Sequence, residues 1–116
     1  MIIAILFTVF IHEAGHALGI MLTRAGRIQG LVLNLKGIGI SWEPYANEPL
    51  KRTFVSLAGP AINLLFAISF FITGQELLFL TNLVFGLVNL LPLPGSDGSR
   101  VLTNLKHVFQ QLQAIS

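Results

Sequence analysis

Three side chains in the stretch His12-Glu13-Ala14-Gly15-His16 have the clearest capacity for chemistry in this chain. Two histidines four apart share one face of a helix, so both imidazoles can grip a single Zn²⁺, and Glu13 can reach a metal-bound water without ligating the ion. Zinc held by three protein ligands keeps one position for water, whose pKa falls to about 7. Glu13, as general base, can take that proton and return it to the leaving amine of a peptide. No cysteine occurs, so disulfides, thiolate metal sites and a Cys nucleophile are excluded, and any metal must use His and carboxylate. One ligand is missing from this stretch.

The three polar residues interrupt an apolar run over residues 2–22, which as a helix is about 31 Å long, the thickness of a hydrocarbon core. Composition agrees with a membrane setting: of 116 residues 53% are hydrophobic and 10% charged, with a mean hydropathy of +0.77. A cleavable signal peptide fits poorly, because the run exceeds a usual apolar region, lacks a basic start and contains Glu13. The net charge of +2 comes from scattered Lys and Arg without aromatic interleaving, so no nucleic-acid partner is expected. Charge at the bilayer centre costs about 2.5 to 3.5 kcal/mol per residue, so Glu13 beside two imidazoles implies a compensating use.

The spacing predicts two further spans, over residues 54–73 and 77–91. Between the first two, residues 28–42 alternate with period two and read as a short hairpin, either an interfacial element or a cover over a cavity. The second span carries Gly59-Pro60, read as close helix packing with a kink, and Asn63, which faces either a polar cavity or a neighbouring helix. The very short turn at Thr73-Gly74-Gln75-Glu76 makes the second and third spans antiparallel neighbours. The third is too short to cross, at about 22 Å, so its break lies inside the bilayer, where irregular backbone survives only beside a cavity. Asp97 lies in that break. A polar helix over residues 99–115 follows; it either leaves the membrane or lies on its surface, and His107 on it reads as a surface histidine.

Lys and Arg flank the first loop and the region after the third span but are absent from the turn at Glu76, which places Met1 and Glu76 outside. Counted from the outer boundary, His12 lies about 15 Å deep, Asn63 about 16 Å, His16 about 21 Å and the break before Asp97 about 22 Å. Asp97 is therefore the expected third ligand. The site is biased toward the inner leaflet.

Three motifs in order then resemble the site-2 protease family of intramembrane zinc metalloproteases. They are His12-Glu13-Ala14-Gly15-His16, Ala58-Gly59-Pro60-Ala61-Ile62-Asn63, and Asn89-Leu90-Leu91-Pro92-Leu93-Pro94-Gly95-Ser96-Asp97-Gly98-Ser99-Arg100. The resemblance implies an all-α membrane protein: a three-helix transmembrane catalytic core with a membrane-associated β-hairpin and a C-terminal helix, one unit over residues 1–116. It implies Asp97 as the third zinc ligand, and Asn63 and Asn89 lining the site to hold the substrate backbone or the oxyanion. The hairpin resembles a β segment that pairs with substrate as an added strand. Substrates would be membrane-anchored regulatory proteins cut within or near a transmembrane segment, in a prokaryotic cell membrane. Many relatives have Pro-Leu-Asp-Gly-Gly where this chain has Gly95-Ser96-Asp97-Gly98-Ser99, which keeps the carboxylate and alters local stiffness. The extra spans and regulatory domains of many members are not seen, so a near-minimal core is expected. Two other classes remain open: a metal-binding membrane protein using the same ligands, and a catalytically inactive scaffold of the same fold. A zinc protease with a Glu ligand from a later helix fits poorly, because Glu76 lies at the outer turn.

Overall fold

The computed structural model describes residues 1–34 and 37–115; the part of the expected hairpin at Leu35 and Lys36 lies outside the described residues. The chain runs α1 (Ile2–Thr23), β1 (Gly26–Asn34), β2 (Gly37–Pro44), α2 (Pro49–Ile72), α3 (Glu76–Leu90) and α4 (Asp97–Ile115). It is mostly helical, with one two-stranded antiparallel hairpin. Two of the helices, α1 and α2, are long and apolar enough to cross a membrane.

Local chemistry explains most of the boundaries. The first helix stops where Arg24 turns left-handed (φ 53°) and the Ala25 N–H reaches back to the Ile20 carbonyl at 3.2 Å. Helix α2 begins at Pro49, five residues before the expected start. Proline fits the first helical position because its φ is preset and no N–H is needed there. Lys51 and Arg52 are consequently inside the helix rather than ahead of it. Leu91 is extended, as the residue before Pro92 must be, and this ends α3.

The last helix also starts earlier than expected. Ser96 Oγ accepts the Ser99 N–H at 3.2 Å and its carbonyl accepts the Arg100 N–H at 3.2 Å, so Ser96 caps α4. Asp97 is therefore the first residue of a helix and not part of an irregular segment, a correction to the reading of the break. The irregular backbone is confined to the preceding Leu91-to-Ser96 connection.

Helix α2 is the hub, packing against α1, α3 and α4. Its contact with α1 runs through small residues. A Cβ placed on Gly19 would stand 2.9 Å from Ala58 Cβ, and one on Gly15 would strike Ile62 and the Ala58 carbonyl. In the hairpin, Ile28 pairs with Trp42 and Gly30 with Ser41, so Gln29 is a bulged extra residue. Ile40 and Trp42 pack on a small apolar cluster of Ile20, Ala25 and Val55, which fixes the hairpin against the C-terminal end of α1 and the N-terminal part of α2.

The distribution of polarity is inverted relative to a water-soluble domain. Among the described residues nine buried side chains are polar or charged and six are hydrophobic, while Ile3, Phe10, Met21, Leu22, Phe71 and Ile72 are all more than 65% exposed.

Candidate metal centre

The buried residues of α1 include Thr8, Ile11, His12, Gly15, His16 and Gly19, a helical stripe turned toward α2. His12 and His16 stand on this stripe, and their Nε2 atoms converge to 3.0 Å. The Asp97 carboxylate completes the group from the first turn of α4: Oδ2 is 2.8 Å from His12 Nε2 and Oδ1 is 3.3 Å from His16 Nε2. All three side chains are buried.

Each imidazole is held from behind. His16 Nδ1 lies 2.7 Å from the Val55 carbonyl, an acceptor with no hydrogen to give, so Nδ1 carries the proton and Nε2 presents a lone pair. His12 Nδ1 lies 2.8 Å from Asn63 Oδ1 and has the same polarity. Phe85 meets the His12 ring edge-on, with centroids 4.9 Å apart. Beneath both rings lies Gly59, where a Cβ would stand 2.5 Å from His16 Nε2 and 3.0 Å from His12 Cε1. A side chain larger than hydrogen there would displace the imidazoles.

Two lone pairs and a carboxylate thus face one another at close range, and Asp97 Oδ2 is buried without a hydrogen-bond donor. Acceptors crowded in this way, one of them anionic, repel unless a proton or a metal cation lies between them. Tetrahedral zinc with bonds of 2.0 to 2.2 Å sets its donor atoms about 3.3 Å apart, close to the separations here. The donor set therefore fits Zn²⁺, with His12, His16 and Asp97 as the residues that would hold it. His–His–carboxylate ligation is also a known composition for catalytic zinc.

Glu13 belongs to the same group without sharing its focus. Its carboxylate lies within 4.8 Å of the histidine donor atoms, is half-buried, and accepts the Ile40 N–H at 3.1 Å. The hairpin thereby tethers the carboxylate beside the two imidazoles. A cavity of about 770 Å³ opens on these residues, lined by Glu13, both histidines, Asp97, Asn89 and strand β2.

The expected site residues are placed unequally. Asn89 lines the cavity, with one amide hydrogen given to the Phe85 carbonyl at 2.8 Å. Asn63 does not line it. That residue is fully buried behind His12, because the face of α2 that carries it turns toward α1 and α3, so its position is that of a support for an imidazole. His107 is exposed, as expected. Not singled out by the sequence are Thr8 and Asn82, both at most 1% exposed and both bonded around Asn63. A signal existed for Thr8, which lies four residues before His12 on the same helical face. Arg100, whose Nη1 lies 3.5 Å from Asp97 Oδ1, and Arg52 bring positive charge to the cavity wall.

Comparison with known proteins identifies the family. The model of the Peptidase M50B-like family matches residues 1–93. A Synechocystis sp. protein provisionally named as a zinc metalloprotease is 31% identical in an alignment covering 84% of this chain. The chain spans 29% of that relative's length. With the family model covering most of the sequence, and the two histidines, the glutamate and the small-residue α1–α2 contact all inside the matched region, the chain belongs to the Peptidase M50B-like, site-2 protease family of metalloproteases.

Proposed function

We propose that the chain is an intramembrane zinc metalloendopeptidase that hydrolyses a peptide bond within or near the transmembrane segment of a membrane-anchored regulatory protein. The observation that carries this reading is the convergence of three buried donor atoms at 2.8 to 3.3 Å with a carboxylate beside them that is not part of the triad. A metal-storage or transport site has no use for Glu13 in that place.

Zinc held by His12, His16 and Asp97 would polarise the scissile carbonyl and acidify water. Glu13 then acts as general base, taking a proton from the attacking water at its carboxylate and delivering it to the leaving amine nitrogen. The Ile40 N–H on Glu13 Oε2 orients that carboxylate. Asn89 keeps a second amide hydrogen for the substrate carbonyl or the developing oxyanion. Because the Ile40 N–H turns away from β1, that edge of β2 faces the cavity, and an extended substrate can lie along it as an added strand. Extension frees the scissile bond from its helix.

The setting we propose is a bilayer, with α1, α2 and α3 as spans of one membrane-embedded unit, in a multi-pass protein of a prokaryotic cell membrane. The buried polar interior and apolar exterior support it, since lipid solvates the outer face. The metal site would lie nearer the cytoplasmic side, where the basic loops fall.

The test is Glu13→Gln, assayed with a single-span substrate in detergent or liposomes. Cleavage should fall by about 10² to 10⁴ with zinc retained. Persistent cleavage in a zinc-loaded variant would overturn the assignment.

A further inference from the structure

The triad explains His12 Nε2 but leaves a group of buried polar residues behind it without a role. Thr8 and Thr81, Asn82 and Asn63 form a continuous hydrogen-bonded chain across α1, α2 and α3, ending on His12 Nδ1. Three of these four are at most 1% exposed, so each polar atom requires a partner.

Counting hydrogens fixes the direction of the chain. Asn82 Nδ2 has two, given to the Leu78 carbonyl at 2.9 Å and to Thr8 Oγ1 at 3.3 Å. Its Oδ1 is therefore the end that faces Asn63, and it accepts from Asn63 Nδ2 at 2.9 Å. Asn63 Nδ2 gives its second hydrogen to the Thr8 carbonyl at 3.2 Å. With both hydrogens spent, Asn63 must present Oδ1 to His12, and Oδ1 can only accept. The proton of neutral His12 is thus held on Nδ1, and Nε2 is left as a lone pair. Thr8 Oγ1 donates its single hydrogen toward the Ala4 carbonyl at 2.8 Å and Thr81 Oγ1 at 2.9 Å, and its lone pairs accept from Asn82. Were Asn63 reversed, its amide would donate to Nδ1, the proton would move to Nε2, and His12 would lose the lone pair that faces the metal site.

We propose that Asn82 and Thr8, acting through Asn63, are positioning residues that lock His12 in the tautomer whose Nε2 lone pair enters the metal site. The proposal rests on the reading of His12 as a metal ligand. Neither Asn82 nor Thr8 touches the cavity, and their effect is transmitted by the orientation of one carboxamide. A purely packing role for Asn82 would be satisfied by leucine, which has nearly its shape; the relay would not.

The experiment is zinc affinity of the full chain in detergent by chelator competition, with helix content followed by circular dichroism. Asn82→Leu should weaken zinc binding about tenfold or more, the effect expected of a lost outer-shell partner. Thr8→Val should weaken it in the same direction, while Ser69→Ala, which removes an exposed hydroxyl elsewhere on α2, should leave it unchanged. A second readout is long-range proton–nitrogen correlation on the histidine-labelled full chain before zinc is added, at a pH where the imidazoles are neutral. Wild type should show His12 protonated at Nδ1 alone, and Asn82→Leu a mixture. Wild-type affinity together with a wild-type histidine spectrum in Asn82→Leu overturns the relay. Should Asn82→Leu fail to fold, Thr8→Val decides between the same two results. A wild-type chain that binds no zinc overturns the metal-site reading as well, which separates the two failures.

Discussion

At the scale of single residues, the site is made by what each side chain is denied. His12 and His16 have their Nδ1 atoms occupied, Asp97 has no donor for Oδ2, and Gly59 has no side chain to fill the space under the rings. Two outcomes follow from this. Asp97→Asn should lower zinc affinity by at least the 10- to 100-fold seen for outer-shell losses, measured by chelator competition, since a neutral amide replaces a ligating charge. Gly59→Ala should lower zinc content although alanine is the better helix former by about 0.8 to 1.0 kcal/mol, because its Cβ would stand 2.5 Å from His16 Nε2. Metal content falling while helix content is retained would be the signature. His12, Glu13 and His16 were legible from spacing alone, since four residues is one helical turn. The side on which Asn63 acts was not, because it depends on the rotation of α2 against two neighbours, a tertiary property that no local pattern records. Asn82 was hidden for the same reason: a single amide in an apolar run looks alike whether it faces lipid, cavity or partner.

At the scale of elements, the hairpin and α4 bring the remaining groups to α1. Strand β2 supplies the Ile40 N–H to Glu13. Ile40→Pro removes that donor without removing a bond between the strands, since edge positions tolerate proline. The expected result is a fall in kcat of about tenfold, equivalent to roughly 1.4 kcal/mol, with zinc affinity unchanged. A parallel loss of zinc would show instead that the hairpin holds the whole site together. Helix α4 depends on Ser96, and Ser96→Ala should cost about 1 kcal/mol of stability in denaturant titration and loosen the helix start that carries Asp97. Sequence periodicity reached the existence of these elements but misjudged their starts. The Pro49 and Ser96 positions read equally well as turn residues and as helix caps, and only the hydrogen bonds that follow them distinguish the two.

At the scale of the whole molecule, the inverted polarity is the governing fact. A polar seam runs from Thr81 through Thr8, Asn82, Asn63 and His12 to Asp97, wrapped in exposed apolar side chains. In water that exterior would drive association. In a bilayer it is solvated, and the seam is the low-dielectric interior in which a metal and a carboxylate act strongly. The chain should accordingly fractionate with membranes and resist alkaline carbonate extraction; release into the soluble fraction would contradict embedding. Composition leads to the same proposed environment, since 10% charged residues is low for a soluble surface of this size. The proposed function requires that side chains from α1 and α4, far apart in sequence, share one ion. X-ray absorption at the zinc edge on the purified chain, with metal content measured on the same sample, tests this most directly. The account predicts one zinc per chain with two imidazoles and oxygen in its shell, and a chain without stoichiometric zinc, or with a single imidazole on it, would contradict it.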